Sequence, residues 1–296
     1  KYEPPENITP AEAGTLIDER ANILDLTSTV IDLAVRGYLT IEEITTTKFF
    51  YFTNKDYKII RTQKPLDSIK LYEDRIISGM FGGKDTIMVS ELKNKFYSHI
   101  PGIKDALYKE LVAGRYFPTN PENVRRIYKW IGIAAMVLGF LSLQVSFIFG
   151  LSLGLSGLIT LIFSRYMPRK TKKGSHMNEE LLGFREFIDR AEKDRIERLA
   201  NNDPTLFDRV LPYALVFGLE DKWADAFKDM YKEPPNWYHS SSYGNTFSPN
   251  IFVSDIGRSL GVMNSTLSSR PRKSGSSGFS GGSSGGGFGG GGGGSW

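Results

Sequence analysis

The chain is 296 residues long, with a formal net charge of +4, 40% hydrophobic residues and no cysteine. This supplies enough apolar surface for a sizeable core and excludes a disulfide framework, a cysteine nucleophile and a thiolate metal site. Residues 1–120 carry 16 basic and 17 acidic side chains and residues 176–233 carry 9 and 14, so the positive surplus lies between these regions and in the tail. Placed there, it points to anionic lipid headgroups rather than to nucleic acid.

The chain opens Lys1-Tyr2-Glu3-Pro4-Pro5, polar and without an initiator Met, which reads as the start of a fragment with a further span possible before it. Thr9-Pro10-Ala11-Glu12 has capping-box spacing with proline at the first helical position, and predicts a helix ending near Glu19. A second helix is expected over 25–36, with Leu26, Val30, Leu33 and Ala34 on one face and Gly37 as its stop. A strand then begins at Tyr38, followed by β-rich runs over 49–52 and 57–61 about a turn at Asn54-Lys55-Asp56. Helix, helix, strand, turn, strand is the order of a winged helix.

The pattern recurs. Leu66, Ile69, Ile76, Ile77 and Met80 mark another amphipathic helix closed by Gly82-Gly83, Ser90 caps a short helix carrying Leu92 and Phe96, and 103–113 forms the next. Glu110-Leu111-Val112-Ala113-Gly114-Arg115-Tyr116-Phe117 echoes Asp32-Leu33-Ala34-Val35-Arg36-Gly37-Tyr38-Leu39. The expectation is two winged-helix-like units in tandem, 1–62 and 63–120. A DNA reader needs basic and amide side chains on its recognition helix, whereas 25–36 offers Asp25, Asp32 and a single Arg36. Nucleic acid is therefore disfavoured as a partner, and a protein-interaction or packing module is favoured.

Residues 130–164 contain no charged side chain. Basic residues close both ends: Arg125, Arg126 and Lys129 before, and Arg165, Arg169, Lys170, Lys172 and Lys173 after. A run of this length is too long for the core helix of a soluble protein and too long for one straight pass across a hydrocarbon core of about 30 Å. We read it as a transmembrane hairpin over 128–166, with short spans at 128–143 and 147–166 and a turn near 144–146, where Gln144 and Ser146 supply polarity. Gly150 and Gly154 form a Gly-x-x-x-Gly pair for close helix packing. Basic residues on both flanks place both in the cytoplasm by the positive-inside rule.

Residues 176–233 predict a cytoplasmic helical domain. Leu181, Phe184, Ile188, Ala191 and Leu199 fall at helical spacing, Asp203-Pro204 caps the next helix, and Trp223 and Phe227 belong to the last. Residues 234–296 read as a disordered tail, Gly/Ser-rich from 274, in which Phe279, Phe288 and Trp296 are isolated aromatics. The fold class is thus mainly α with small β wings. His99, His176 and His239 lack metal-ligand spacing, Phe81-Gly82-Gly83-Lys84 is no phosphate loop, and no Gly-x-Ser-x-Gly elbow is present, so no catalytic residue, cofactor or metal is assigned.

Several of these motifs together resemble the DUF2207 family of predicted bacterial membrane proteins: Tyr2-Glu3-Pro4-Pro5, Thr9-Pro10-Ala11-Glu12-Ala13-Gly14, the Asp32 to Leu39 segment, Met167-Pro168-Arg169-Lys170-Thr171, Leu182-Gly183-Phe184-Arg185-Glu186-Phe187, Leu211-Pro212-Tyr213-Ala214 and the terminal Gly294-Ser295-Trp296. The resemblance implies a longer parent with a signal sequence, an extracytoplasmic β-rich domain and a first membrane helix ahead of Lys1. It implies no activity. The expected role is a scaffold or signal coupler in the bacterial inner membrane, acting through a protein partner or self-association, with anionic lipid at the basic flanks. The alternatives are an enzyme on lipid or envelope precursors and, less favoured, a tethered DNA binder.

Overall fold

A computed structural model describes residues 3–48, 52–190, 193–228, 230, 233–240 and 248–271. The fold is mostly helical, 67%, with one small mixed sheet of four strands. Helix α1 (Pro10–Asp18) starts with the expected capping box, in which the Thr9 amide donates to Glu12 Oε2 at 2.9 Å. Helix α2 (Ile23–Val35) is capped in the same way, the Asn22 amide donating to Asp25 Oδ2 at 2.7 Å. It ends at Gly37, whose φ of +80° suits a residue without a side chain.

Strands β1 (Leu39–Lys48) and β2 (Phe52–Arg61) form an antiparallel hairpin. The expected turn at Asn54-Lys55-Asp56 is corrected: these residues lie inside β2, opposite Thr46, Thr45 and Ile44. The β-branched run Thr45-Thr46-Thr47 extends β1 and carries its partner strand with it. Residues 49–51 lie outside the described residues. Next come α3 (Leu71–Phe81), β3 (Thr86–Met88), two short 3-10 turns (Val89–Leu92, Phe96–Ser98) and α4 (Ile100–Ala113).

Helices α5 (Pro121–Ser142) and α6 (Phe147–Phe163) lie side by side, and a 3-10 turn (Ser164–Tyr166) follows α6. Four helices come after them: α7 (Lys172–Arg190), α8 (Lys193–Asn202), α9 (Leu206–Phe217) and α10 (Glu220–Phe227). The chain then adds β4 (Tyr238–His239) and α11 (Pro249–Ser268).

The expected boundaries at 62/63 and around 176–233 do not separate cores. Sheet order is β3-β2-β1-β4, so β3 from the second expected unit pairs with β2 of the first, and β4 from beyond residue 233 runs parallel to β1. Leu16, Ile31, Ile76, Leu107, Phe184, Phe207 and Phe252 all belong to one contiguous buried cluster. Tyr213 in α9 donates its hydroxyl to the Ile8 carbonyl at 2.6 Å, and Thr27 in α2 donates to Asn264 in α11 at 2.8 Å. The reason is area: α1 and α2 have too many apolar faces for one hairpin to cover, and α9 and α11 cover the rest.

Disorder from residue 234 is likewise corrected for the described part of that stretch. Phe252, Val253, Ile256, Leu260, Met263 and Leu267 of α11 are buried, at helical spacing. Phe252 sits in an aromatic cluster, its ring 5.3 Å from that of Tyr238 and 6.2 Å from that of Phe207. Residues 272–296, with the Gly-rich expectation, lie outside the described residues.

Candidate functional site

The large apolar side chains that remain exposed are concentrated in one place. Apart from Leu71, Leu182 and Ile251, those identified among the described residues fall between Ile127 and Met167, on α5, α6 and their connection. Val145 at the turn is 92% exposed and Ile148 78%. Soluble surfaces do not carry contiguous apolar patches of this extent. One described helical stretch, Phe147–Tyr166, is long and apolar enough to cross a membrane by length and composition. Helix α5 begins with Glu122, Arg125, Arg126 and Lys129, and is apolar only beyond them.

Glycines set the packing of α5 on α6. A Cβ at Gly132 would fall 2.8 Å from Leu161 N, and one at Gly157 2.7 Å from Met136 N. A Cβ at Gly139 would fall 2.5 Å from Gly154 N, and one at Gly150 2.7 Å from Gly139 O. The facing pairs Gly132–Gly157 and Gly139–Gly150 are both centred between Gln144 and Val145, as antiparallel helices about that turn require. Of the expected Gly150–Gly154 pair, Gly150 makes the close contact itself. A Cβ at Gly154 meets nothing within 4 Å, and it is the missing side chain of Gly139 that admits its backbone. Gly132 and Gly139 were missed in the sequence because their spacing of seven, two helical turns, falls outside the Gly-x-x-x-Gly pattern.

At the base of this pair the basic residues sort into two groups. Arg125 and Lys170 are structural ties. Glu19, which ends α1 in the left-handed conformation at φ 58°, receives Lys170 Nζ at 3.0 Å and faces Arg125 Nη2 at 3.8 Å. Arg125 Nε also donates to the Arg165 carbonyl at 3.3 Å, so one buried guanidinium joins the start of α5 to the end of α6. The returning chain is fastened as well: Thr171 hydrogen-bonds the Arg115 and Tyr116 carbonyls, and Lys173 reaches the Gly114 carbonyl at 2.8 Å and the Tyr116 ring at 4.7 Å. A Cβ at Gly174 would overlap the Tyr116 carbonyl, so only glycine lets α7 start there.

Arg126, Lys129, Arg165, Arg169 and Lys172 are exposed. Tyr128, Trp130 and Tyr166 are exposed beside them, the placement of interfacial aromatics. A cavity of about 700 Å³ opens here, lined by Arg20, Glu122, Arg125, Arg126, Lys129, Trp130, Ile133, Leu161, Ser164 and Arg165. Two neighbouring cavities share Arg20 and Arg125 with it, and one of them brings in Lys104, Tyr108 and Arg270. Burial holds Lys104 below the ordinary lysine range. Arg20, Lys104 and Arg270 were not legible as site residues, since no local pattern links them to the helix pair.

A family model described as the C-terminal domain of a predicted membrane protein (DUF2207) matches residues 1–227. The chain belongs to the DUF2207 family. Its membrane character thus rests on the family as well as on the apolar surface of α5 and α6. Strand β4 and helix α11 lie beyond the matched DUF2207 segment, yet they complete its core. No curated protein and no solved structure compared with the chain matches it. Within the DUF2207 domain, an exposed His176 lies 3.3 Å from the partly buried Glu180 on the first turns of α7. Among the described residues no three His, Asp or Glu side chains gather as a metal site.

Proposed function

We propose that the chain is a membrane-anchored module. Residues 128–166 enter the bilayer as a hairpin, both flanks face the cytoplasm of a bacterial inner membrane, and the body works as a scaffold or signal coupler through protein contacts. The observation that carries this reading is the concentration of exposed large apolar side chains, among the described residues, on α5, α6 and their turn. The ties from Arg125 and Lys170 to Glu19 support one shared side for both flanks, because the start and the end of the pair meet the same body. The apolar leg of α6 is 17 residues, about 26 Å, and the charge-free part of α5 is shorter. Such legs reach the far headgroups only with local thinning of the bilayer.

Absence of cysteine makes the test direct. Single cysteines at Ser98 and at Gln144 are exposed in turn to a membrane-impermeant maleimide from each face of oriented vesicles. Ser98→Cys is expected to react from the cytoplasmic face only and Gln144→Cys from the opposite face or from neither. Reaction of both from one aqueous face would end the hairpin reading. Crosslinking mass spectrometry in native membranes tests the scaffold role, with reproducible crosslinks from the body to another protein as the expected result.

The second reading, an enzyme on lipid or envelope precursors, is favoured by one observation, the cavities with charged residues in their lining where the body meets the helix pair. Crosslinks confined to the chain itself would move weight to it.

A further inference from the structure

We infer that the cavity at the base of the helix pair holds the phosphate of an anionic lipid, with an acyl chain lying along Trp130, Ile133 and Leu161. This rests on the reading that α5 and α6 enter the bilayer. Four cations reach the cavity from three separate parts of the chain: Arg20 after α1, Arg126 and Lys129 in α5, and Arg165 after α6. None of them pairs with a carboxylate within 4 Å among the described residues, and the one acid in the lining is Glu122. Like charges gathered this closely repel one another until an anion joins them.

A second observation comes from behind them. Arg125 is 9% exposed, and its Nη1 is buried without a hydrogen-bond partner, 3.6 Å from Glu122. That nitrogen is turned to Glu122 and adds positive charge behind the cavity wall, while a phosphate is the acceptor whose geometry the guanidinium forks of Arg20, Arg126 and Arg165 in the lining fit. The apolar wall then distinguishes the source. A soluble phosphate has no use for Trp130, Ile133 and Leu161, whereas a lipid places its headgroup among the cations and its chain against that wall.

The test uses the full chain, purified in mild detergent from vesicles of equal phosphatidylglycerol and phosphatidylcholine, with bound lipid read by native mass spectrometry. Wild type is expected to retain phosphatidylglycerol over phosphatidylcholine. The Arg20→Gln/Lys129→Gln variant loses that preference by about thirtyfold, from roughly 1 kcal/mol for each of the two interfacial cations. Arg169→Gln/Lys172→Gln, which removes two cations outside the cavity, keeps it. Equal retention in all three proteins, or equal loss in both variants, would overturn the site in favour of general surface charge. Displacement of the lipid by millimolar inorganic phosphate alone would assign the site to a soluble anion and overturn the lipid. Vesicle flotation is read in parallel: wild type that fails to float sinks the membrane reading and the site with it, whereas floating variants without the preference locate the effect in the cavity.

Discussion

Two buried carboxyls stand out at the scale of single residues. Asp25 serves as a capping acceptor for α2, and burial pushes it up to about 7. Asp32 is pushed up to about 7 by the same cause, although Arg36 lies 2.9 Å away, because that one guanidinium also serves the buried Glu73 at 2.6 Å. The folded protein therefore holds protons on both groups that the unfolded chain releases near pH 4. Their contribution stabilises the fold in acid and is lost as pH rises from about 4 to about 7, at a limiting slope of about 1.4 kcal/mol per pH unit for each group. Asp32→Asn should flatten that decline, as followed by denaturant midpoints between pH 5 and 8. A wild-type slope in the variant would show that Asp32 is not the titrating group.

Elements are held together by features that differ greatly in how visible they are in the sequence. Gly139→Ala should destabilise the α5–α6 pair by about 1–3 kcal/mol, since its Cβ would strike backbone, whereas Gly154→Ala should stay within about 0.5 kcal/mol. Unfolding in graded SDS separates these outcomes, and equal effects would contradict the register described above. Leu260→Ala in α11 is expected to cost about 2–5 kcal/mol in the same measurement, as a buried leucine does. The capping box of α1, the charge-free run and its basic flanks were all legible, because each is a local pattern with a direct physical cause. Helix α11 was not, despite apolar spacing from Phe252 to Leu267. Its Gly257, Gly261 and many serines lower helix propensity, and tertiary burial overrides that. The basic flanks were legible as charge but not as roles: nothing local in the sequence distinguishes Arg125, a buried tie, from Lys129, an exposed cation.

For the molecule as a whole, Glu19 governs how the body sits on the helix pair. Glu19→Ala removes the partners of Lys170 and of one Arg125 nitrogen, a loss of about 1–3 kcal/mol for largely buried pairs. Its larger effect should be on orientation. Spin labels on cysteines placed at Val145 and Leu182, both exposed, should give a broader distance distribution in Glu19→Ala than in an otherwise identical protein. An unchanged distribution would mean that Thr171 and the close seat of Gly174 suffice to fix the angle.

The core that unites the two sides of the helix pair also dictates an order of events during synthesis. Strand β1 waits for β4, and α2 waits for α9 and α11, all of which leave the ribosome after α5 and α6. The apolar helices must therefore find their solvent while the residues before them still lack half of their core partners. Closure of the body comes last, around a pair of helices already in place. A ribosome stalled before residue 206 would carry an N-terminal half that is open to proteases, and release of the full chain would close it.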